Sequence, residues 1–110
     1  MRKTILAAAL ALMPVSAGAE ETKMDFLTCG PAEEYAWEIM AARQRGVSIG
    51  DVMLLTDVME EGFWKQYLKS MTIAAYRFPV ADSEQGKYEL VSDFANKVAI
   101  ECYEALYSIN

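Results

Sequence analysis

Apolar residues recur at helical spacing along most of the chain after residue 30. The first such face predicts a helix over residues 31–45. Pro31 suits a first helical position, and Gly46 is a typical helix stop. The face consists of Tyr35, Ile39 and Ala42, flanked by Ala36 and Met40.

A second helix is predicted from Ser48, which can cap it, to Glu61. Asp51 stands where a capping box carries its acid. Gly62 leaves two alternatives, a break or one long helix with a weak point, and we favour the break. The apolar positions at helical spacing are Ile49, Val52, Met53, Thr56 and Met59.

Residues 63–78, FWKQYLKSMTIAAYRF, are apolar on most of the helical circumference. A helix of this kind is usually buried among partners, so we predict a central helix that Pro79 ends. One stripe contains Phe63, Tyr67, Met71, Ala74 and Phe78, and the next contains Trp64, Leu68 and Ala75.

The loop VADSEQG precedes a last helix over about 84–107, with Asp82 or Ser83 as its cap. No alternating strand pattern appears, so the sequence predicts an all-α protein, a compact bundle of three or four helices. The predicted inward stripe of the last helix is Tyr88, Val91, Ala95, Val98, Cys102 and Ala105.

The first 19 residues have the three regions of a secretory signal peptide. A basic start, Arg2 and Lys3, precedes the apolar run Ile5 to Met13 and a small-residue triplet that ends at Ala19. This run is much shorter than the about 20 residues of a membrane anchor, the alternative reading. We therefore expect cleavage between Ala19 and Glu20, with a periplasmic or secreted product and no membrane anchor.

After that cleavage, residues 20–28 are predicted to form a flexible lead-in and residues 29–110 a single helical domain. Cleavage removes two basic side chains and no acid, so the formal charge changes from −6 to −8. Such acidity disfavours nucleic acid and anionic lipid as partners.

Two cysteines remain, Cys29 and Cys102. An even count in a small exported chain predicts a disulfide, here with one possible pairing. The alternatives are a redox pair, disfavoured because no C-x-x-C motif is present, and two buried thiols.

Residues 41–55, AARQRGVSIGDVMLL, have the spacing of a DNA-binding helix-turn-helix. A recognition helix needs Arg, Lys, Asn or Gln at its exposed positions, and residues 49–54 contain none. With the export signal and the charge, this favours a tight corner between two helices over DNA recognition.

Histidine is absent, which removes the commonest general base and metal ligand. An enzyme that uses carboxylates alone is conceivable through Asp57, Glu60 and Glu61 or through Glu101 and Glu104. Acids at this helical spacing usually form a solvated face, and no calcium-loop motif is present. We expect no enzyme activity, no metal and no cofactor.

Aromatic residues are abundant, and most must serve the core. Trp37 lies off the predicted apolar face of the first helix, and Tyr103 and Tyr107 form a pair four residues apart. Tyr and Trp dominate binding hot spots, so Trp37 and the pair of Tyr103 and Tyr107 are two separate candidates for a binding surface.

Cys29 followed by IMAARQRGVSIGDVM, AAYRFPVADSE and DFANKVAIECY resembles a group of short exported proteins of unassigned function from bacterial, phage or prophage genomes. The resemblance covers residues 29–103, and ARQ-x-GVS is its most distinctive piece. It implies a small helical exported protein and no particular activity.

Two functions are therefore expected. The first is a protein-binding or inhibitory module that holds another envelope protein on an aromatic and acidic surface. The alternative is an acid-stress or chaperone-like periplasmic protein, motivated by 16 carboxylates that would lose charge on acidification.

Overall fold

The computed structural model describes residues 26–107 and contains four helices over that range. They are α1 (Phe26–Gln44), α2 (Ile49–Asp57), α3 (Phe63–Tyr76) and α4 (Glu84–Tyr107). No strand occurs in the described part of the chain, so the predicted all-α bundle is confirmed. The predicted signal peptide, the cleavage site at Ala19 and Glu20, and the lead-in as far as residue 25 lie outside this range.

The helix at the centre of the bundle is α1. It packs most extensively along α4, less on α3 and lightly on α2, whereas the backbones of α3 and α4 scarcely approach each other. The prediction that residues 63–78 form the central helix is therefore wrong. Its outer positions, Ile73 and Ala74, are exposed to solvent. The largest apolar cluster contains Ala32, Ala36, Ile39, Met40, Val52, Leu68, Met71, Ala75, Val91, Phe94, Ala95 and Val98.

A disulfide joins the start of α1 to the end of α4, as predicted. Cys29 and Cys102 have their Cα atoms 5.6 Å apart, and neither residue is accessible to solvent. Near the start of α4, the ring centres of Trp37 and Tyr88 are 5.7 Å apart. These two contacts show that α1 and α4 run antiparallel. The bond is compatible with an oxidising compartment.

The first helix begins five residues before its predicted start. Residues 26–28 are helical rather than part of the lead-in, and Pro31 lies inside α1. Pro31 is the sixth residue of α1, past the first turn, so it removes the backbone donor that an i→i−4 bond would need there. The disulfide of Cys29 fixes this first turn to α4.

The two predicted corners are confirmed. Gly46 has a φ of 86° after α1, and the Ser48 hydroxyl accepts a bond from the Asp51 amide at the start of α2. Gly62 separates α2 from α3 with a φ of 148°, a conformation that side chains disfavour. The break at Gly62, favoured over a continuous helix, is therefore real.

The last helix matches its predicted range, and its start is capped by Ser83, whose hydroxyl accepts from the Gly86 amide. Its inward stripe was only partly predicted, because Tyr88 and Ala105 are exposed. On α1, Tyr35 is also exposed, at 45%. Each of these residues lies at the edge of an apolar stripe, where solvent reaches the side chain.

Candidate functional site

The two aromatic patches predicted as candidate binding surfaces, Trp37 and the pair of Tyr103 and Tyr107, lie far apart. Trp37 is 37% exposed and rests edge-on against Tyr88. Tyr103 is partly buried and Tyr107 is 63% exposed at the far end of α4. At 1.5 Å per residue, Tyr103 lies roughly 22 Å along the helix from Tyr88. Trp37 and the two tyrosines therefore belong to opposite ends of the bundle.

The distinctive motif ARQRGVS holds the two corners of the fold together. Gln44, 3% exposed, donates to the Pro79 carbonyl and accepts from the Ala81 amide, both at 2.9 Å. Arg43 Nε donates to the Phe78 carbonyl at 2.9 Å. These bonds join the end of α1 to the segment between α3 and α4, so the motif has a structural role.

Tyr76 completes this connection from α3. Its hydroxyl donates to the Val47 carbonyl at 2.7 Å, and the Arg43 guanidinium lies 5.3 Å from its ring centre. Burial raises the pKa of Tyr76, and the nearby Arg43 and Arg45 partly oppose this effect. The phenol therefore remains neutral and able to donate at neutral pH.

The most apolar exposed surface is on α2, which the sequence did not single out. This helix buries Val52 and Thr56 and turns other large side chains outward. Leu54 is 61% exposed and Leu55 is 70% exposed, and Val58, just after the helix, is 84% exposed. The run VMLL was the available signal, because a short helix with apolar residues on all sides can bury only one face.

Beside this surface lies an open apolar groove of about 450 Å³ between α1, α2 and α3. It exists because α2 packs mainly on α3 and only lightly on α1. Tyr35, Glu38 and Arg45 are exposed at its edge. Its other lining residues are Ile39, Ala42, Val52, Leu55, Thr56, Met59, Leu68 and Thr72.

The polar atoms on the floor of the groove are already bonded. The Thr56 hydroxyl donates to the Met53 carbonyl and the Thr72 hydroxyl to the Leu68 carbonyl, each at 2.8 Å. Both threonines are at least 96% buried. A ligand on this floor would therefore meet mainly carbon atoms.

The surroundings of the groove are acidic. Glu34 lines an adjoining hollow with Tyr35, Trp37 and Glu38, and Glu60 lines a second hollow that shares Met59 with the groove. We call Glu34, Glu38 and Glu60 the acidic rim. Glu61 is also in the second hollow, but Lys65 lies 2.8 Å from it and lowers its pKa. Among the residues that line the groove itself, Glu38 is the one acid and Arg45 the one base; Glu34 and Glu60 line the adjoining hollows, whose linings contain no base.

Three of the five carboxylates considered for catalysis occur in ion pairs on the surface. Asp57 pairs with Lys69 at 2.9 Å, Glu61 with Lys65, and Glu101 with Lys97 at 2.6 Å. Among the described residues, no three acids, cysteines or histidines are placed to hold a metal ion. Over the same residues, no helix is both long and apolar enough to cross a membrane.

Comparison with protein-family models, with curated proteins and with solved structures finds no match to this chain. The chemistry of its surface is thus the guide to its function.

Proposed function

We propose that this protein is an exported protein-binding module that holds another envelope protein, and blocks the surface it covers, through the groove between α1, α2 and α3. The observation that carries the proposal is the exposure of Leu54, Leu55 and Val58 beside that groove. Contiguous exposed apolar surface on a small protein typically marks an interaction site.

A protein partner is favoured over a polar small molecule. Small-molecule sites combine apolar walls with a few polar groups that orient the ligand. On this floor the Thr56 and Thr72 hydroxyls are bonded within their own helices. Leu54 and Val58 also extend the apolar surface beyond the groove, as an extended partner surface would require.

The aromatic residues then have different roles. Trp37 lines the hollow that shares Tyr35 and Glu38 with the groove, so it can contact the margin of the same partner. Tyr103 and Tyr107 lie on α4, which contributes no residue to the groove. We therefore retain Trp37 in the proposed binding surface and assign the tyrosine pair no part in it.

Periplasmic location is part of this proposal. The buried disulfide between Cys29 and Cys102 is typical of small proteins in oxidising compartments. The first 19 residues have the pattern of a cleaved export signal. The partner is then another protein of the envelope.

The acid-stress alternative has less support. All 13 Asp and Glu residues between 29 and 107 are exposed. Protonation of a buried, bonded carboxylate is a common trigger of acid unfolding, and none occurs in this range. Unchanged dye binding and oligomeric state between neutral pH and about pH 3 would exclude an acid-opened chaperone.

Capture of partners from periplasmic extract tests the proposal. The variant L54Q/L55Q removes apolar surface without changing charge, and glutamine is as good a helix former as leucine. The control I100Q changes a side chain that is 56% exposed on α4, away from the groove. Circular dichroism and thermal unfolding establish that both variants fold.

We expect one envelope protein to be retained by the wild type and by I100Q, at low and moderate salt, and lost with L54Q/L55Q. A leucine side chain that the partner fully covers contributes roughly 1.5–3 kcal/mol of burial, so we expect the loss of both to weaken affinity by at least tenfold. Empty captures with the wild type, or equal retention by L54Q/L55Q, would contradict the proposal.

A further inference from the structure

We propose that the partner inserts an α-helix into the groove, with an apolar stripe on the inner face of that helix and Lys or Arg on both sides of the stripe. This inference rests on the proposed function and names the chemistry of its partner. Two features of the groove carry it, the shape of its apolar floor and the charge around it.

The shape favours a helix over the other forms in which peptides bind. Addition of a strand needs an exposed sheet edge, and residues 26–107 contain no strand. Polyproline segments bind aromatic-lined grooves, whereas this floor is aliphatic, with Ile39, Val52 and Leu68 at its base. Amphipathic helices bind apolar grooves between helices, so this mode fits best.

The length of the groove agrees with a short helix. Along α1 and the corner that follows it, the groove extends from Tyr35 to Arg45, which is roughly 15 Å at 1.5 Å per residue. A helix of about three turns covers this distance and presents apolar side chains at positions i, i+3 or i+4, and i+7. It would lie where α2 leaves α1 uncovered.

Charge complementarity identifies the residues beside the stripe. The acidic rim, Glu34, Glu38 and Glu60, is exposed, and Arg45 is the one base among the residues that line the groove and its two adjoining hollows. Basic residues on both sides of an apolar stripe would pair with this rim and would also steer the approach of the partner.

The same charges disfavour a second copy of the chain as the occupant. Two copies that met through this groove would bring their acidic rims together in a dimer whose subunits each carry a net negative charge. Like charges across an interface oppose association. A basic helix of another protein has no such penalty.

The test uses synthetic peptides and the purified, disulfide-bonded protein. Three helical peptides of about 18 residues are compared, a length that supports a helix. One carries a leucine stripe flanked by lysines, the second has the same stripe flanked by glutamates, and the third has the lysine composition with the stripe scrambled. Fluorescence anisotropy gives each dissociation constant at low and at moderate salt.

Two charge variants of the protein are matched. E34Q/E38Q/E60Q neutralises the acidic rim. D93N/E101Q/E104Q neutralises three acids that line a separate hollow on the outer face of α4. Ile100 is the one large apolar side chain in that hollow. Both variants remove the same charge, so a difference between them reports position rather than total acidity.

We expect the lysine-flanked stripe to bind at least about tenfold more tightly than either other peptide. The rim variant should bind the lysine-flanked peptide about tenfold more weakly than the wild type, as expected for the loss of three partly exposed ion pairs. The α4 variant should bind it less than twofold more weakly. Added salt should weaken binding to the wild type more than binding to the rim variant.

Equal affinity for the lysine-flanked and glutamate-flanked stripes, or equal losses in both charge variants, would overturn this inference. A protein that sediments as a dimer, and as a monomer with L54Q/L55Q, would also overturn it and assign the groove to a second copy. In the first two cases, the proposed function would still be supported if the wild type captures an envelope protein that L54Q/L55Q does not. A wild type that captures no protein would instead contradict the proposed function itself.

Discussion

At the scale of single residues, the side chains of ARQRGVS serve the fold rather than a ligand. The Gln44 side chain makes two hydrogen bonds to the loop between α3 and α4, one to the Pro79 carbonyl and one from the Ala81 amide. Val47 accepts the bond from Tyr76, which ties the first corner to α3. A distinctive motif can therefore mark the corner of a small fold, and a sequence pattern alone does not separate this role from binding.

We expect Tyr76→Phe to lower the free energy of unfolding by about 1 kcal/mol at pH 7, because the Val47 carbonyl loses its donor. Burial raises the pKa of Tyr76 above its ordinary value of 10.0. A raised folded pKa means that the contribution is complete below pH 10 and is lost as pH rises through the folded value. The difference between wild type and variant should therefore shrink above pH 10.

Urea unfolding at pH 7 and at alkaline pH measures this difference. Tyr88→Phe is the control, because Tyr88 is 58% exposed and its ring contact with Trp37 survives the change. A difference that is absent at pH 7, or that grows at alkaline pH, would contradict the role given to the Tyr76 hydroxyl.

At the scale of helices, local signals predicted most boundaries. Ser48, Gly62 and Ser83 act within a few residues of their own position. The sequence predicted the first two and gave Ser83 as one of two alternative caps. Residues 26–30 are helical, although the sequence predicted a start at residue 31. The bond between Cys29 and Cys102, 73 residues away, attaches this turn to α4, a contact that a local pattern cannot report.

The candidate site was harder to predict than the helices. A periodic pattern shows that α2 has apolar residues but not which of them find a partner helix. Because α2 packs lightly on α1, Leu55 and Val58 remain exposed, whereas Val52 is buried. Among the residues predicted for a binding surface, Trp37 alone adjoins the groove.

At the scale of the whole molecule, one covalent bond closes the bundle. The helices α1 and α4 form its long antiparallel pair, and α2 and α3 pack against α1 as a shorter hairpin. The disulfide links the ends of the long pair and encloses nearly all of the described chain. A domain of this size has a small core, so the crosslink should contribute a large share of its stability.

We expect the variant C29A/C102A to lose about 4 kcal/mol of unfolding free energy, the value that chain entropy predicts for a loop of this length. Both cysteines are fully buried, and alanine adds no polar group in their place. Denaturant unfolding of the variant and of the oxidised wild type measures the loss. A change below about 1 kcal/mol would show that the helices hold together without the bond.

The central claim is that the protein holds its partner at the groove beside α2. The most direct test is photo-crosslinking in living cells, with a photoreactive residue in place of Leu55 or, as a control, of Ile100; both positions are exposed. We predict one discrete adduct with an envelope protein from position 55 and none from position 100. No adduct from position 55, or the same adduct from both positions, would contradict the claim.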